Sequence, residues 1–155
     1  MGLAAMITID IQDAALLAAL QKLSSQLQDL SQPMFAVGQA LESAVRERFV
    51  SMSDPSGEAW AKLSDSTLAQ RAKNGKAGGN ILFEEGVLLK SLSWASDAKT
   101  AQVGFGQAYA AYHEWGTTRM PRRGLLMANP DAGTLGADDL ERVLDVLRGH
   151  LADAV

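Results

Sequence analysis

The sequence predicts an α+β fold, and three observations carry that prediction. Apolar residues recur at helical spacing in three long stretches, 16–30, 34–49 and 140–151. Leu92-Ser-Trp94 and the stretch 100–105 alternate with the two-residue period of strands on either side of the polar turn Asp97-Ala-Lys99, which is the pattern of a β-hairpin. A further alternating run, Met6-Ile-Thr-Ile-Asp-Ile11, predicts another strand with one buried face.

Taken in order, the 6–11 strand is followed by Asp13, which is placed to cap a helix. Leu16, Leu20, Leu23, Leu27 and Leu30 make one stripe of that helix, with Gln21, Lys22, Ser25, Gln26 and Asp29 opposite. Two readings fit the stripe: a helix packed on its own domain, and a coiled-coil seam of barely two heptads. Pro33 suits the first turn of a second helix, where Met34, Val37, Leu41, Val45 and Phe49 face inward and Glu42, Arg46 and Glu47 outward. That helix must stop near Ser53-Asp54-Pro55, so the two helices are expected to form an antiparallel hairpin.

Asp54-Pro55-Ser56-Gly57 is a turn by mechanism, and Trp60 and Leu63 follow it as apolar anchors. Ser64 is an N-cap for a short helix from Asp65 to about Ala72, ended by Asn74-Gly75. The stretch 72–80 has almost nothing to bury and is expected to be a mobile loop. It is either an ordinary connection or an arm that orders on binding, and Lys62, Arg71, Lys73 and Lys76 make its surroundings basic. A short helix is expected from Glu84 to Lys90, helical turns from Gln107 to Trp115, a loop from Gly116 to Arg123, and a return to the core at Leu125. The last helix has Asp138, Asp139 and Glu141 in its first turn and Arg148 and His150 in its last, which complements the helix dipole. Leu140, Val143, Leu144, Leu147 and Leu151 form its expected buried stripe.

The totals bound the class. A chain of 155 residues reads as one domain with room for a core of its own. The net charge of −4 argues against a general nucleic-acid coat. The lack of cysteine excludes disulfides and thiolate metal sites and fits a reducing compartment. No apolar run reaches the roughly 20 residues that span a bilayer. The first residues lack the basic start of a secretory signal, and Met6 is a second candidate start.

Chemistry-bearing residues crowd into 103–127, which holds both tyrosines, one of the two histidines and three arginines. His113-Glu114 is the pair that invites a catalytic reading. A general base needs a partner and a pocket, and the zinc pattern His-Glu-x-x-His fails because position 117 is Thr. His113 is instead expected to hydrogen-bond a backbone carbonyl and fix the turn into Gly116. Tyr109, Tyr112 and Trp115, spaced by three, are either core packing of a short helix or anchors of an interface. Arg119, Arg122 and Arg123 flank Pro121 in a loop that is either a solvated turn, a set of charges for acidic groups on a neighbouring subunit, or a contact to DNA.

Six phrases in register resemble a known family. They are Asp54-Pro-x-Gly-x-x-Trp60; Leu63-Ser-x-x-Thr67; Ile81-Leu82-x-x-x-Gly86-x-Leu88-x-x-Ser91-Leu92; Val103-Gly104; Tyr109-Ala110-x-Tyr112-His113-x-x-Gly116; and Met120-Pro121-x-Arg123-x-Leu125-Leu126. Their order is similar to the phage virion morphogenesis family, the tail-completion proteins of Mu-like tailed phages and prophages, over roughly residues 6 to 151. The chain departs from the family's Ala-Arg-Pro-Phe after Pro121, reading Arg122-Arg123-Gly124-Leu125.

The resemblance implies a small, mostly antiparallel sheet packed by helices, with a long loop that docks on neighbours. It further implies a virion protein without enzymatic activity or cofactor. Such a protein forms a homo-oligomeric ring, typically hexameric, at the head–tail junction and meets tail-tube and connector or stopper proteins there. DNA passes through without sequence-specific recognition, and assembly takes place in the host cytoplasm with no membrane involved. The site residues are then Tyr109, Tyr112, His113, Trp115, Arg119, Arg122 and Arg123 at an interface, with Arg71, Lys73 and Lys76 on the docking loop. A head-side stopper, a small DNA-binding module built on 62–76, and an enzyme acting through His113 stand as alternatives.

Overall fold

The computed structural model describes residues 14–153, so the predicted strand at 6–11 and the Asp13 cap lie outside the described residues. The elements run α1 (Ala14–Gln28), α2 (Ser31–Ser51), α3 (Asp65–Lys73), α4 (Val87–Lys90), β1 (Leu92–Ser96), β2 (Ala101–Phe105), α5 (Ala110–Trp115) and α6 (Ala137–Ala152). This is the α+β class that the sequence predicts.

The hairpin forms where the alternation places it. β1 and β2 pair antiparallel, with Leu92 opposite Phe105 and Ser96 opposite Ala101. Asp97 Oδ1 closes the turn by accepting the Lys99 and Thr100 N–H groups, both at 2.8 Å. α2 lies across this hairpin. Its crossing needs Gly38, because a Cβ there would come within 2.3 Å of the Trp94 ring.

The core is built from Val45, Phe49, Trp60, Leu88, Leu92 and Leu125. Phe49 meets Trp60 edge-on, with ring centroids 5.5 Å apart, a favoured aromatic geometry. The predicted inner face of α2 is buried at Met34, Val37, Val45 and Phe49. The turns also stand as read: Asp54 Oδ1 accepts the Ser56 and Glu58 N–H groups, and Ser64 caps α3 through the Thr67 N–H at 3.3 Å.

Two expectations fail. α1 does not fold back along α2; the partners of α2 are β1, β2 and α6. The predicted helical hairpin is therefore not formed. Only two residues separate α1 from α2, and the second of them, Leu30, donates its N–H to Ala98 O at the turn of the β-hairpin instead. Leu17, Leu20 and Leu27 of α1 stay exposed as a result.

The second failure concerns α6, whose apolar stripe is only partly covered, with Leu140 and Leu151 exposed. The helix is anchored by a charge. Asp139, 3% exposed, ion-pairs with Arg48 of α2, and Arg48 Nη1 also donates to Leu125 O at 2.7 Å. Arg48 falls one residue from the Phe49 anchor, so the face that buries Phe49 carries the arginine inward as well.

Replacing Asp139 by Ala strands the Arg48 guanidinium in the interior and is expected to cost roughly 3–5 kcal/mol. The joint replacement Arg48→Met, Asp139→Leu should recover most of that loss. Urea unfolding followed by circular dichroism measures both. A cost for Asp139→Ala below about 1 kcal/mol would show the pair to behave as a surface contact.

Candidate docking surface around α5

α5 is six residues long and would not hold on propensity alone, since short isolated helices are marginal in water. What fixes it is Glu114. Its carboxylate is 3% exposed and accepts three backbone N–H groups: Leu125 at 2.7 Å and Leu126 at 2.9 Å on Oε2, and Met127 at 2.9 Å on Oε1. Segment 124–127 lies in no strand, so this carboxylate takes the place of a strand partner.

Arg122 ties the same knot from the other side. Its Nε donates to Glu114 O and its Nη2 to Met127 O, both at 2.6 Å, and Nη2 stands 3.6 Å from Glu114 Oε1. The chain reverses between the two at Gly116, whose φ of 73° favours glycine and whose Cβ would come within 2.9 Å of Arg122 N. Arg123 is also internal, 6% exposed, with Nε on Ala61 O at 2.7 Å and Nη2 on Lys62 O at 3.0 Å. The Trp60 indole N–H completes the clamp on Gly124 O at 2.9 Å.

The predicted site residues therefore divide. Tyr109, Tyr112 and Trp115 are all exposed, so α5 does not use its aromatic rings as core. Trp115 Nε1 donates to Asp131 Oδ1 at 3.1 Å, and Tyr109 stands edge-on to His113. Arg119 is exposed, and its guanidinium has no hydrogen-bond partner among the described residues. Arg122 and Arg123 are not loop charges offered to solvent; the carbonyls of 61, 62, 114 and 127 occupy them.

His113 does not fix the turn through its ring. Its Nδ1 is buried without a partner, and it is the His113 carbonyl that accepts the Arg123 N–H at 2.8 Å. Burial, with the Arg123 charge adding to it, holds the imidazole pKa below its ordinary value of 6.5.

The docking-loop residues divide in the same way. Arg71 is buried and braces the loop's return by donating to Asn80 O at 2.7 Å and Ile81 O at 2.9 Å. Lys76 pairs with Glu85, and Lys73 is exposed at the end of α3. The Asn80 side-chain amide donates to Phe49 O and its Oδ1 accepts the Leu82 N–H, so the far end of 72–80 is pinned to α2.

Two concavities flank α5. A cleft of about 600 Å³ opens toward α3 and is lined by Arg71, Tyr109, His113, Arg119 and Arg123. It joins the two groups that the sequence had kept apart. A groove of about 260 Å³ lies on the other side, walled by Phe105, Ala108, Ala111, Trp115, Leu126 and Met127. Among the described residues no three His, Asp or Glu side chains gather as metal ligands, and no helix is long and apolar enough to cross a membrane.

Sequence reading missed Glu114 as the organiser and saw it only as half of a catalytic pair. The available signal was its place four residues after Ala110, on the side of α5 that turns inward. Glu114→Ala leaves one buried and two half-buried N–H groups without an acceptor and is expected to cost about 3 kcal/mol in urea unfolding; a loss under about 1 kcal/mol would refute its organising role. His113 gives a pH prediction. With a depressed folded pKa, the unfolded chain takes up the proton first, so stability falls as pH drops below 6.5 and levels off beneath the folded value. His113→Leu should flatten that fall relative to the unsubstituted protein, and parallel curves would contradict the buried neutral imidazole.

A protein of Escherichia phage Mu, named "Putative capsid assembly protein G", is 30% identical over 152 residues, covering 96% of this chain and 95% of that protein. No solved structure matches the chain. The model of the phage virion morphogenesis family matches residues 11–152, and the chain belongs to that family.

Proposed function

We propose that this chain is a structural, non-catalytic subunit that forms a homo-oligomeric ring, hexameric in the simplest case, at the phage head–tail junction. There it completes the tail so that a filled head and a tail can join. Virion morphogenesis is the family's role, and assembly is what the name of the Mu relative describes. The ring, the junction and the tail-tube and connector partners are the finer reading.

The observation that carries it is the display of Tyr109, Tyr112 and Trp115 on a helix whose backbone is locked by the buried Glu114. Large exposed aromatic side chains held rigidly are the usual anchors of protein interfaces. The His113-Glu114 pair supports a structural role too, because the buried carboxylate accepts three backbone N–H groups and makes no hydrogen bond with the His113 ring among the described residues. The DNA-binding alternative loses its cations: Arg71 is buried and Lys76 is paired, which leaves Lys62 and Lys73 of that basic segment.

A phage lacking this gene, complemented with Tyr112→Asp, Trp115→Asp, tests the reading by electron microscopy of the particles formed. Both positions are exposed, so the variant should fold with an unchanged circular dichroism spectrum. Separate heads and tails are expected to accumulate, with joined particles reduced at least tenfold. Joined particles at the unsubstituted yield would overturn the proposal.

A further inference from the structure

Among the described residues, α1 leaves a row of leucines exposed. Leu17, Leu20 and Leu27 are 43%, 49% and 51% exposed, and α1 packs on no other element to the extent that α2, β1, β2 and α6 do. A helix largely turned to water normally carries several charges, yet Lys22 is the single charged residue of α1. The helix is about 22 Å long and projects from the turn end of the β-hairpin, where Leu30 is tied to Ala98.

The groove beside α5 is the complementary shape. It is apolar, it begins at Phe105, and its small residues Ala108 and Ala111 let another backbone come close. Asp131 stands at its rim, hydrogen-bonded to Trp115, as a counter-charge for Lys22. Phe105 is opposite Leu92, at the far end of the hairpin from the Asp97 turn. Four strand steps, about 13 Å, thus separate the root of α1 from the groove. One copy presents the ridge at one end and the groove at the other.

We propose that copies of this chain join head to tail, with the leucine face of α1 from one subunit lying in the α5 groove of the next. The inference rests on the ring reading above and names its contact. A ridge and a groove at opposite ends make a heterologous interface, which closes into a ring when the rotation allows, and an amphipathic helix laid into an apolar groove is a recurring mode of recognition. The same contact covers the leucines that the fold leaves in water.

The chain has no cysteine, so introduced thiols are the only ones that each copy of it carries. Leu20→Cys, Ala111→Cys and the double variant are supplied to the gene-deficient phage, and the particles are treated with a short bismaleimide. The double variant is expected to give a ladder of dimers and higher species on a denaturing gel, and each single variant to stay monomeric. A ladder absent from the double variant in joined particles overturns this contact while the junction reading stands. Cross-linking by Leu20→Cys alone overturns it in favour of α1 pairing with α1. Joined particles without the chain at the junction overturn both readings.

Discussion

The structure depends on one buried carboxylate. Segment 124–127 runs through the interior without a strand partner, and its three N–H groups converge on Glu114. Buried backbone donors left unpaired are costly, so this acceptor is what allows Leu125, 1% exposed, to sit at the centre of the core. A charged acceptor shared by three donors also fixes direction. It sets where α5 stands, and α5 sets where its aromatic residues face the outside.

The other internal charges follow the same logic. Arg48, Arg71, Arg122 and Arg123 each donate to at least one backbone carbonyl of a segment outside the helices and strands. An arginine fork suits that task, because several donors in a fixed plane can bridge two carbonyls at once. Among the described residues the α+β body has one two-stranded sheet, and side chains do much of what a larger sheet would do.

The outside shows the opposite economy. α1 and the ends of α6 expose leucines, and α5 exposes aromatic rings. Scattered exposed apolar residues are ordinary, whereas clustered ones mark contact surfaces. In a protein of virion assembly this division is physically coherent: charge locks the loops within a subunit, and apolar ridges and grooves stay at the surface.

The local elements were legible in the sequence, because their causes are local. The two-residue alternation around Asp97, the Ser64 cap, the Asp54-Pro-Ser-Gly57 turn and the inner face of α2 all follow from spacing and side-chain chemistry within a few residues. The phrases around Trp60, Ile81 and Tyr109 also made the family legible. Only the tertiary structure decided which charges go inside. Glu114 and Arg122 look alike in a sequence to any solvated pair, and the burial of the one and the half-burial of the other depend on carbonyls and N–H groups up to 13 residues away. It likewise decided that the leucine stripe of α1 stays uncovered, since a helical stripe specifies that something apolar must meet it and not which chain supplies the partner.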